Sequence, residues 1–323
     1  MQKKTINIIV IVLVISVVIV GAFFLFNKDR GNAPSDFTED TGVIEYMGEK
    51  YAPKDNIETV LLMGLDKFDM EVDEIAYINM QQSDLMLLFV IDHDTNECEL
   101  LHINRDTMTE IQRLGVGGDK AGTFNGQICL AHAYGSGDAD SNINAVSAVE
   151  GLLGHDITID HYISLTMEAV GILNDAVGGV PVEITEDMTA TDPEFVNGST
   201  VTLTGEKALK YVRARGELAD DSNLNRMERQ QRYMESFTEK LMTAISEDSG
   251  FMHKMIMKIN PYMKSDISAN GLDALAETLG EVERKPLRTI KGEAKQGKKF
   301  VEFYPDEKDL EKNVIELFYE KVK

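Results

Sequence analysis

The sequence predicts an α/β protein, with a mixed central β-sheet flanked by helices on both faces and preceded by one N-terminal transmembrane helix. Three observations lead to this fold class. A long apolar segment lies near the N terminus, two apolar runs are separated by a short polar turn, and strand-like and helix-like segments alternate along the rest of the chain. Such alternation is typical of a sheet covered by helices.

The apolar segment, residues 6–26, predicts a membrane anchor, since only Asn7 and Ser16 in it are plainly polar. At 1.5 Å per residue a helix of this length spans about 30 Å, the thickness of a hydrocarbon core. A cleaved signal peptide is the alternative, but it requires a shorter apolar core and a small-residue cleavage site. Here Gly21 and Ala22 are followed by four more apolar residues, which favours a retained anchor.

The flanking charges predict the orientation of this anchor. Residues 1–5 form a short tail whose positive charges are Lys3, Lys4 and the amino terminus, and Lys28 and Arg30 follow the span, so the asymmetry is mild. Short basic tails stay in the cytoplasm, so residues 1–5 are expected to be cytoplasmic. The protein is then a single-pass protein of the cell membrane with an extracellular C-terminal domain.

Composition excludes some function classes. The net charge of -23 and the pI near 4.6 argue against a nucleic-acid partner, because a basic face is required to neutralise phosphates. The chain has two cysteines, Cys98 and Cys129, so it is not a disulfide-rich scaffold, and their pairing is open. Residues 27–56 are rich in Gly, Pro, Ser and acidic residues, which predicts a flexible stalk.

The clearest structural unit is a β-hairpin. Apolar runs at residues 85–91 and 97–103 flank the polar turn 92–96, a pattern typical of two antiparallel strands. In such a pair the start of one strand lies beside the end of the other. Asp84 and the pair Arg105-Asp106 are therefore expected to lie close together.

The other elements follow from hydrophobic periodicity, which is near 3.6 residues for helices and 2 for strands. Thr204 is expected to cap a helix, and a longer helix from Asn223 carries an apolar stripe through Phe237 and Leu241. The remaining predictions are strands at 59–64, 157–165 and 180–184, helices at 143–153 and 167–177, and a last helix from Asp306.

Carboxylates at strand ends suggest a metal site. Asp66 follows the 59–64 strand, and Asp84 precedes the first hairpin strand. Mg²⁺ prefers oxygen ligands and often takes further ligands from substrate phosphates. The alternative interpretation is that Asp66 caps a turn and Asp84 lies at a strand edge.

Five arginines suggest an anion site in this acidic chain. Arginine's planar fork suits phosphate, and the first turn of a helix, where Arg226 and Arg229 are predicted, also favours anions. Ordinary surface ion pairing is the alternative. With the two aspartates, these arginines suggest a pyrophosphate or phosphodiester held between guanidinium groups and a divalent cation. The five are Arg105, Arg213, Arg215, Arg226 and Arg229.

The ordered set of motifs resembles the LytR-CpsA-Psr family of cell-wall phosphotransferases. It runs from about residue 59 to residue 245, behind the anchor and stalk. Its pieces are Val60-Leu-Leu-Met-Gly-Leu-Asp66, Ser83-Asp-Leu-Met-Leu-Leu88, Ile103-Asn-Arg-Asp-Thr107, Leu173-Asn-Asp-Ala-Val-Gly-Gly-Val180, Thr204-Gly-Glu-Lys-Ala-Leu-Lys-Tyr-Val-Arg-Ala-Arg215 and Arg226-Met-Glu-Arg-Gln-Gln231.

The resemblance implies an extracellular transferase that moves a glycopolymer, such as wall teichoic acid or capsular polysaccharide, from a polyprenyl-pyrophosphate carrier to peptidoglycan through a phosphodiester link. It also implies a catalytic domain at residues 57–249, with 250–323 as a helical extension of the same domain. An apolar groove for the lipid tail is expected between sheet and helices.

Matched by position, the family's site residues fall into two sets. Asp66, Asp84 and, less fully, Asn223 match ligands of Mg²⁺ or Mn²⁺. Asp84 or Asp106 is the candidate general base, and Asp106 alternatively holds Arg105 in place. The residues that match pyrophosphate ligands are Arg105, Arg213, Arg215, Arg226 and Gln230.

Three positions depart from the family pattern: Gln82 where Arg is frequent, Gln127 near where Lys is frequent, and Asn223 where Asp is usual. An amide is a poorer Mg²⁺ ligand than a carboxylate, so activity could be changed or lost. Two other functions therefore stay open. One is hydrolysis of the same pyrophosphate-linked lipid, and the other is non-catalytic cell-wall binding or regulation with the same fold.

Overall fold

The computed structural model describes residues 42–66, 77–115, 117–154, 156–214, 223–248, 250–298 and 300–322. The predicted anchor, residues 6–26, the tail before it and most of the stalk lie outside this part of the chain. Within the described part, no helix combines the length and apolar character that crossing a bilayer requires.

The described part of the chain contains seven α-helices and sixteen β-strands. The helices are α1 Ala139–Leu153, α2 Met167–Ala176, α3 Gly205–Arg213, α4 Asn223–Glu247, α5 Phe251–Ile259, α6 Ala269–Glu281 and α7 Glu307–Phe318. The strands are β1 Ile44–Tyr46, β2 Glu49–Pro53, β3 Ile57–Leu65, β4 Ser83–Asp92, β5 Glu97–Ile103, β6 Met108–Leu114, β7 Lys120–Gln127, β8 His161–Thr166, β9 Val180–Glu183, β10 Thr200–Leu203, β11 Met263–Ser265, β12 Glu283–Arg284, β13 Arg288–Thr289, β14 Gly292–Gln296, β15 Val301–Pro305 and β16 Tyr319–Lys321.

These elements form two compact units. The sheet unit comprises the described residues up to Ser164, Lys264–Ser268 and the chain from Glu281 onward. The helical unit comprises Leu165–Met263 and Ala269–Gly280, in their described parts. Residues 250–323, expected as a helical extension, contribute α5, α6 and α7 but also several strands, two of which pair with β5.

A seven-stranded mixed sheet is the centre of the fold, as predicted. Its order is β11-β8-β3-β4-β5-β12, with β13 also pairing with β5. The strands β3, β4 and β5 are antiparallel, whereas β12 and β13 run parallel to β5. Both faces of β4 are buried along most of its length, which explains its nearly continuous apolar sequence.

The predicted hairpin is confirmed, and Asp92 accounts for its turn. The Asp92 Oδ1 atom accepts hydrogen bonds from the backbone nitrogens of Asp94, at 3.1 Å, and Thr95, at 3.0 Å. Such bonds from an aspartate side chain to its own backbone stabilise a turn. β4 starts at Ser83, two residues before the predicted strand, because Ser83 is still paired with Leu65 of β3.

One face of the sheet packs against α1 and α7. Buried side chains alternate along the strands, as in Leu61 and Met63 of β3, and meet Val149 of α1 and Leu317 of α7 in one core cluster. Burying each such side chain fully contributes about 1.5–3 kcal/mol. The last helix begins as predicted, since Asp306 Oδ1 accepts from the backbone nitrogen of Asp309 at 3.0 Å.

Helix α1 differs from its prediction in both its start and its buried face. It begins at Ala139, and Ile143, which was expected to begin an amphipathic helix, is 55% exposed. The buried positions include Asn144, whose Nδ2 donates to the carbonyls of Ala131 at 2.8 Å and Gln112 at 3.1 Å. Hydrophobic periodicity misses this face because a polar residue is buried on it, with its amide nitrogen bonded to main-chain acceptors.

The predicted strand 157–165 begins later than expected, at His161. The preceding residues instead form a loop held by Asp160. Its Oδ2 accepts from the backbone nitrogen of Thr59, at 2.9 Å, and from the Thr59 hydroxyl, at 2.8 Å. The apolar alternation of residues 157–160 therefore belongs to a loop that is fixed by side-chain hydrogen bonds.

In the helical unit, α2 and α3 cross at two glycines. A Cβ atom on Gly205 would lie 2.6 Å from the carbonyl oxygen of Gly171, so only glycine permits this approach. Thr204 is the N-cap residue, as predicted, but its side chain makes no capping hydrogen bond. Asp175 replaces it, because Asp175 Oδ1 accepts from the Gly205 nitrogen at 2.7 Å.

A buried histidine lies in the sheet unit. His132 is fully buried, and its Nδ1 lies 3.2 Å from the carbonyl oxygen of Gln81. Since a carbonyl only accepts, Nδ1 carries the proton of the neutral ring. The pKa of His132 is lowered to about 4, chiefly by burial and to a smaller extent by the nearby Lys264. Gln81 and Asp140 oppose this shift.

We expect the stability of the protein to fall as the pH falls from about 6.5, the usual pKa of an unfolded histidine, toward about 4. The folded state resists protonation of His132, so its contribution is complete above the unfolded pKa and is lost on acidification. The loss amounts to about 3 kcal/mol for this group. Urea unfolding from pH 7 to pH 4, compared between the wild type and His132→Asn, measures it.

Asparagine retains a donor for Gln81 but does not titrate, so the difference between the two proteins isolates His132 from the other ionisable groups. His93 and His161 have raised pKa values, because hydrogen bonds to Glu58 and Asp266 favour their charged forms, and they act in the opposite direction in both proteins. A parallel pH dependence of wild type and His132→Asn would contradict the prediction.

Candidate functional site

The sheet brings acidic and basic residues together at one end of β3, β4 and β5. Leu65, near the end of β3, is paired with Ser83 at the start of β4. Asp66 and Asp84 directly follow these two residues in the chain. β5 ends at Ile103 opposite Met86 of β4, and Arg105 comes two residues later.

Arg105 is the centre of this cluster, and its predicted proximity to Asp84 is confirmed. Its Nη1 forms an ion pair with Asp84 Oδ1, and its Nη2 donates to Gln82 Oε1 at 2.6 Å. The same nitrogen lies 3.3 Å from the Sγ atom of Cys129. On the remaining side, Arg105 Nε is 3.6 Å from Asp106 Oδ1.

The guanidinium is mostly buried, with 22% of the side chain exposed, whereas Asp84 is 36% exposed. Burial opposes the charge of Arg105, but Cys129 and the two aspartates outweigh it and raise its pKa above the usual value. Burial also raises the pKa of the Cys129 thiol to about 11, against the influence of Arg105. Arg105 is thus a fixed positive charge beside a neutral thiol.

A second set of contacts holds Asp106. The Nε2 atom of Gln127 donates to Asp106 Oδ1 at 2.8 Å and to the carbonyl oxygen of Val301 at 2.8 Å. The backbone nitrogen of Phe303 donates to the carbonyl oxygen of Asp106 at 2.9 Å. Strand β15 is therefore attached directly to the residue that follows Arg105.

The main chain on both sides of the cluster is also fixed. The backbone nitrogen of Cys129 donates to the carbonyl oxygen of Arg105 at 3.2 Å, and that of Ile128 donates to Thr107 at 2.8 Å. Ser83 Oγ donates to the Cys129 carbonyl at 3.4 Å. Arg105 is thereby held in place through its backbone as well as through its side-chain partners. Such fixed positioning favours a preorganised anion site.

Sequence reasoning missed three residues of this cluster. Gln82 and Gln127 were recognised as departures from a family pattern, but the structure makes each a direct partner of Arg105 or Asp106. The sequence assigns no role to Cys129, and both Cys98 and Cys129 are buried free thiols. Gln82 could have been inferred from its position beside Asp84. Gln127 and Cys129 come from another part of the chain, and nothing in the sequence around them indicates that they contact Arg105 or Asp106.

The chemistry of the donors is compatible with a hard divalent cation. Asp66 and Asp84 offer carboxylate oxygens at the ends of adjacent strands, the ligand type that Mg²⁺ prefers. No cluster of three or more His, Cys, Asp or Glu side chains suited to a metal occurs in the described ranges. A cation held here by protein carboxylates would therefore take its other ligands from water or substrate oxygens.

The other predicted site residues belong to the helical unit. Arg213 is exposed at the last position of α3, where a cation also stabilises the helix dipole. Arg226, Gln230 and Asn223 lie on α4, but their side chains are outside the described part of the structure. Arg215 lies outside the described residues altogether.

Arg229 is buried and stabilises the helical unit, so its assignment to the anion-binding cluster is wrong. The side chain is 1% exposed, and its Nη1 donates to Glu186 at 2.6 Å. Its Nε and Nη2 donate to the carbonyl oxygens of Tyr211, at 3.1 Å, and Ala214, at 2.7 Å. These carbonyls belong to the C-terminal end of α3, where helix carbonyls lack intrahelical partners.

The strand ends place a guanidinium beside carboxylates. Arginine is the side chain whose donor set suits phosphate oxygens, and carboxylates are the ligand type that hard divalent cations prefer. Fold and site together define a mixed α/β protein with a cluster of one arginine and neighbouring aspartates at the end of its sheet.

The family follows from comparison with known proteins. The LytR-CpsA-Psr family model matches residues 28–317, and the chain belongs to this family. The resemblance that the sequence motifs indicate is thereby confirmed.

Comparison with curated proteins finds relatives that are named teichoic acid transferases. A polyisoprenyl-teichoic acid–peptidoglycan teichoic acid transferase TagU of Enterococcus faecalis is 27% identical over 270 residues, which cover 83% of this chain and 80% of that protein. The TagU of Halalkalibacterium halodurans is 32% identical over 165 residues, which cover 51% of this chain and 49% of the relative. The chain spans about half the length of this second relative.

Solved structures share the fold. The Lin1025 protein from Listeria innocua superimposes with a TM-score of 0.54 at 25% identity, covering 81% of this chain and 98% of that one. A structure of TagT bound to LI-WTA gives a TM-score of 0.57 at 22% identity, with 81% and 89% coverage. At this identity the second likeness concerns the fold alone.

We expect Arg229→Ala to lower the free energy of unfolding by about 3–5 kcal/mol, the usual loss when one partner of a buried ion pair is removed. Glu186 and two main-chain carbonyls would lose their donors in the variant. Urea or thermal unfolding of the purified protein measures the change.

Lys254→Ala is the matched control in the same unit. Lys254 also forms an ion pair, with Asp248 at 2.6 Å, but its side chain is 66% exposed. Its loss should change the free energy of unfolding by no more than about 1 kcal/mol. Similar small changes for Arg229→Ala and Lys254→Ala would show that the Arg229 contacts contribute little.

Proposed function

We propose that this protein is a membrane-anchored phosphotransferase that moves a glycopolymer from a polyprenyl-pyrophosphate carrier onto peptidoglycan outside the cell. The observation that carries the proposal is the Arg105 cluster at the end of the central sheet, with Asp84, Asp66 and Asp106 beside it. The TagU relatives, which carry the name teichoic acid transferase, support a donor of this class.

Arg105 would bind the pyrophosphate of the donor. In the structure its charge is neutralised by Asp84, so an incoming phosphate competes with that carboxylate for the guanidinium. Arg213, Arg215, Arg226 and Gln230 are proposed as further ligands on the strength of their family motifs. Phosphoryl transfer depends mostly on positioning and charge stabilisation, which fixed guanidinium groups supply.

Asp66 and Asp84 would hold Mg²⁺ or Mn²⁺, with Asn223 as a candidate third ligand. When bound, such a cation neutralises charge on the pyrophosphate and its leaving group. Asp84 would then have two positively charged partners at different stages, since it pairs with Arg105 in the structure and would offer the same carboxylate to the metal ion.

The reaction joins an acceptor hydroxyl to the phosphorus that bears the glycan. The hydroxyl oxygen attacks this phosphorus, the bond to the bridging pyrophosphate oxygen breaks, and polyprenyl phosphate leaves. The hydroxyl proton passes to a carboxylate. Asp84 and Asp106 are the two candidate acceptors of this proton. Asp106 Oδ1 accepts from Gln127 and lies beside Arg105 Nε, so Asp106 is also suited to hold Arg105, and Asp84 pairs with the same guanidinium.

The predicted anchor at residues 6–26 fits this function. A donor on a polyprenyl lipid is confined to the membrane, and one helix with a stalk of about 30 residues would keep the enzyme within reach of it. The acceptor, peptidoglycan, is outside the cell, in agreement with the orientation that the flanking lysines favour.

We expect Arg105→Ala to reduce transfer by at least about 100-fold, the usual result of removing one preorganised donor to developing charge. The assay combines the purified full chain, Mg²⁺, a short-chain polyprenyl-pyrophosphate glycan and a peptidoglycan acceptor. Arg113→Ala is the matched control. Arg113 is an exposed arginine of β6 in the same unit, packed over the ring of Phe124 at 4.9 Å.

The product separates the possible activities. Glycan on the acceptor supports transfer, whereas release of free glycan alone would identify a hydrolase. Binding of the donor without turnover would identify a non-catalytic protein. Full activity in Arg105→Ala would overturn the site assignment.

We expect Asn223→Asp to tighten Mg²⁺ binding, because a carboxylate is a better ligand for this cation than an amide. Isothermal titration of the full chain in detergent with Mg²⁺ measures the affinity. Asn125→Asp adds the same charge at an exposed position of β7 and should leave the affinity unchanged. Equal affinities for Asn223→Asp and wild type would remove Asn223 from the site.

A further inference from the structure

The hairpin formed by β14 and β15 presents an unusual surface. Every residue of β14 is exposed. Phe300 is 63% exposed, Val301 44% and Tyr304 41%, so three of the twelve exposed large hydrophobic residues in the described chain fall within five positions. Clustered exposed apolar residues mark interaction surfaces rather than ordinary solvent-facing ones.

This hairpin is joined directly to the Arg105 cluster. The Val301 carbonyl accepts from Gln127 Nε2, the same nitrogen that donates to Asp106. Phe303 is bonded to the backbone of Asp106, and an isolated bridge links it to Thr107. Phe300 is therefore one residue away from the network that holds Arg105.

The charge of the hairpin differs from that of the chain. The protein carries a net charge of -23, and most of its surface would be repelled by an anionic membrane. Residues 292–305 contain three lysines and two glutamates, and one of these glutamates, Glu302, has its carboxylate beside Gly297. The tip itself carries two successive lysines directly before Phe300, and the first of them, Lys298, is exposed. Lysine beside an aromatic side chain is typical of segments that enter the interface of an anionic bilayer.

We propose that the tip of this hairpin, with Lys298, Phe300 and Val301, inserts into the headgroup region of an anionic phospholipid bilayer. This rests on the proposed function in one respect. The pyrophosphate of a polyprenyl donor is attached to a tail in the membrane, so the cluster that binds it must lie near headgroup level. The hairpin would set the height of Arg105 above the lipid.

A glycan strand fits this surface less well. Sugars usually stack on an open aromatic face, but the ring of Tyr304 is already approached by the Lys295 ammonium at 5.1 Å from its centre. Its hydroxyl donates to Glu302 at 2.8 Å. That leaves Phe300 as the single open ring at the tip, without a second aromatic face for a glycan strand. The lysines that precede it in the sequence suit it to partial burial among lipid headgroups.

The absence of tryptophan from the whole sequence gives a direct experiment. In the full-length Phe300→Trp variant the introduced indole is the sole tryptophan. The protein is reconstituted in vesicles of phosphatidylcholine and phosphatidylglycerol, with phosphatidylcholine brominated on its acyl chains as quencher. We expect a blue-shifted emission that is quenched by the brominated lipid.

Ile143→Trp is the matched control, because Ile143 is 55% exposed on α1 in the same unit and should not be quenched. Adding Lys298→Gln to Phe300→Trp should lower the equilibrium constant for insertion by about fivefold, the contribution of one lysine near an anionic surface. Replacing phosphatidylglycerol by phosphatidylcholine should also lower the equilibrium constant for insertion.

Quenching of Phe300→Trp no greater than that of Ile143→Trp would overturn the proposal. So would an emission change caused by soluble peptidoglycan fragments in detergent but not by vesicles, which would identify a glycan-binding tip. The measurement requires no turnover, so a protein that fails the transfer assay can still insert its hairpin. The two proposals therefore fail independently.

Discussion

The end of the central sheet depends on one largely buried positive charge, the guanidinium of Arg105. A charge with 22% of its side chain exposed requires partners, and these are four residues from three stretches of the chain. Asp84 and Gln82 precede or begin β4, Cys129 lies in the turn after β7, and Asp106 follows Arg105 itself. The antiparallel register of β4 and β5 brings the first of these into contact, and the others fix the loops around the sheet end.

Arg105 and Arg229 show how one residue type serves two purposes. Both belong to the five arginines that suggest an anion site, although only Arg105 also matches a pyrophosphate ligand of the family. Arg229 is closed off by Glu186 and main-chain carbonyls, so all three of its donating nitrogens are used within the helical unit. Arg105 retains some exposure and faces carboxylates that a substrate or cation could engage. Burial, which sequence periodicity did not reveal, separates a structural arginine from a candidate ligand.

Sequence reasoning succeeded where one physical rule decided the outcome. The proximity of Asp84 and Arg105 follows from antiparallel geometry, and the strands of the hairpin follow from their apolar runs. It failed where side-chain hydrogen bonds replaced hydrophobic burial. Asn144 is buried in α1 while Ile143 is exposed, and Asp160 holds a loop where apolar alternation predicted a strand. Gln127 reaches the site through tertiary contacts alone, which no local pattern reports. The anchor and the roles assigned to the site residues stay predictions.

The two cysteines have a consequence for the chemical durability of the folded protein. Cys98 and Cys129 are separate buried thiols, so no covalent cross-link between them contributes to the native state. Burial raises the pKa of Cys98 to about 12, and the thiolate that attacks disulfides or oxidants is therefore scarce. Once folded, the protein keeps both thiols out of reach of oxidants and disulfide exchange, so its native state tolerates oxidising surroundings.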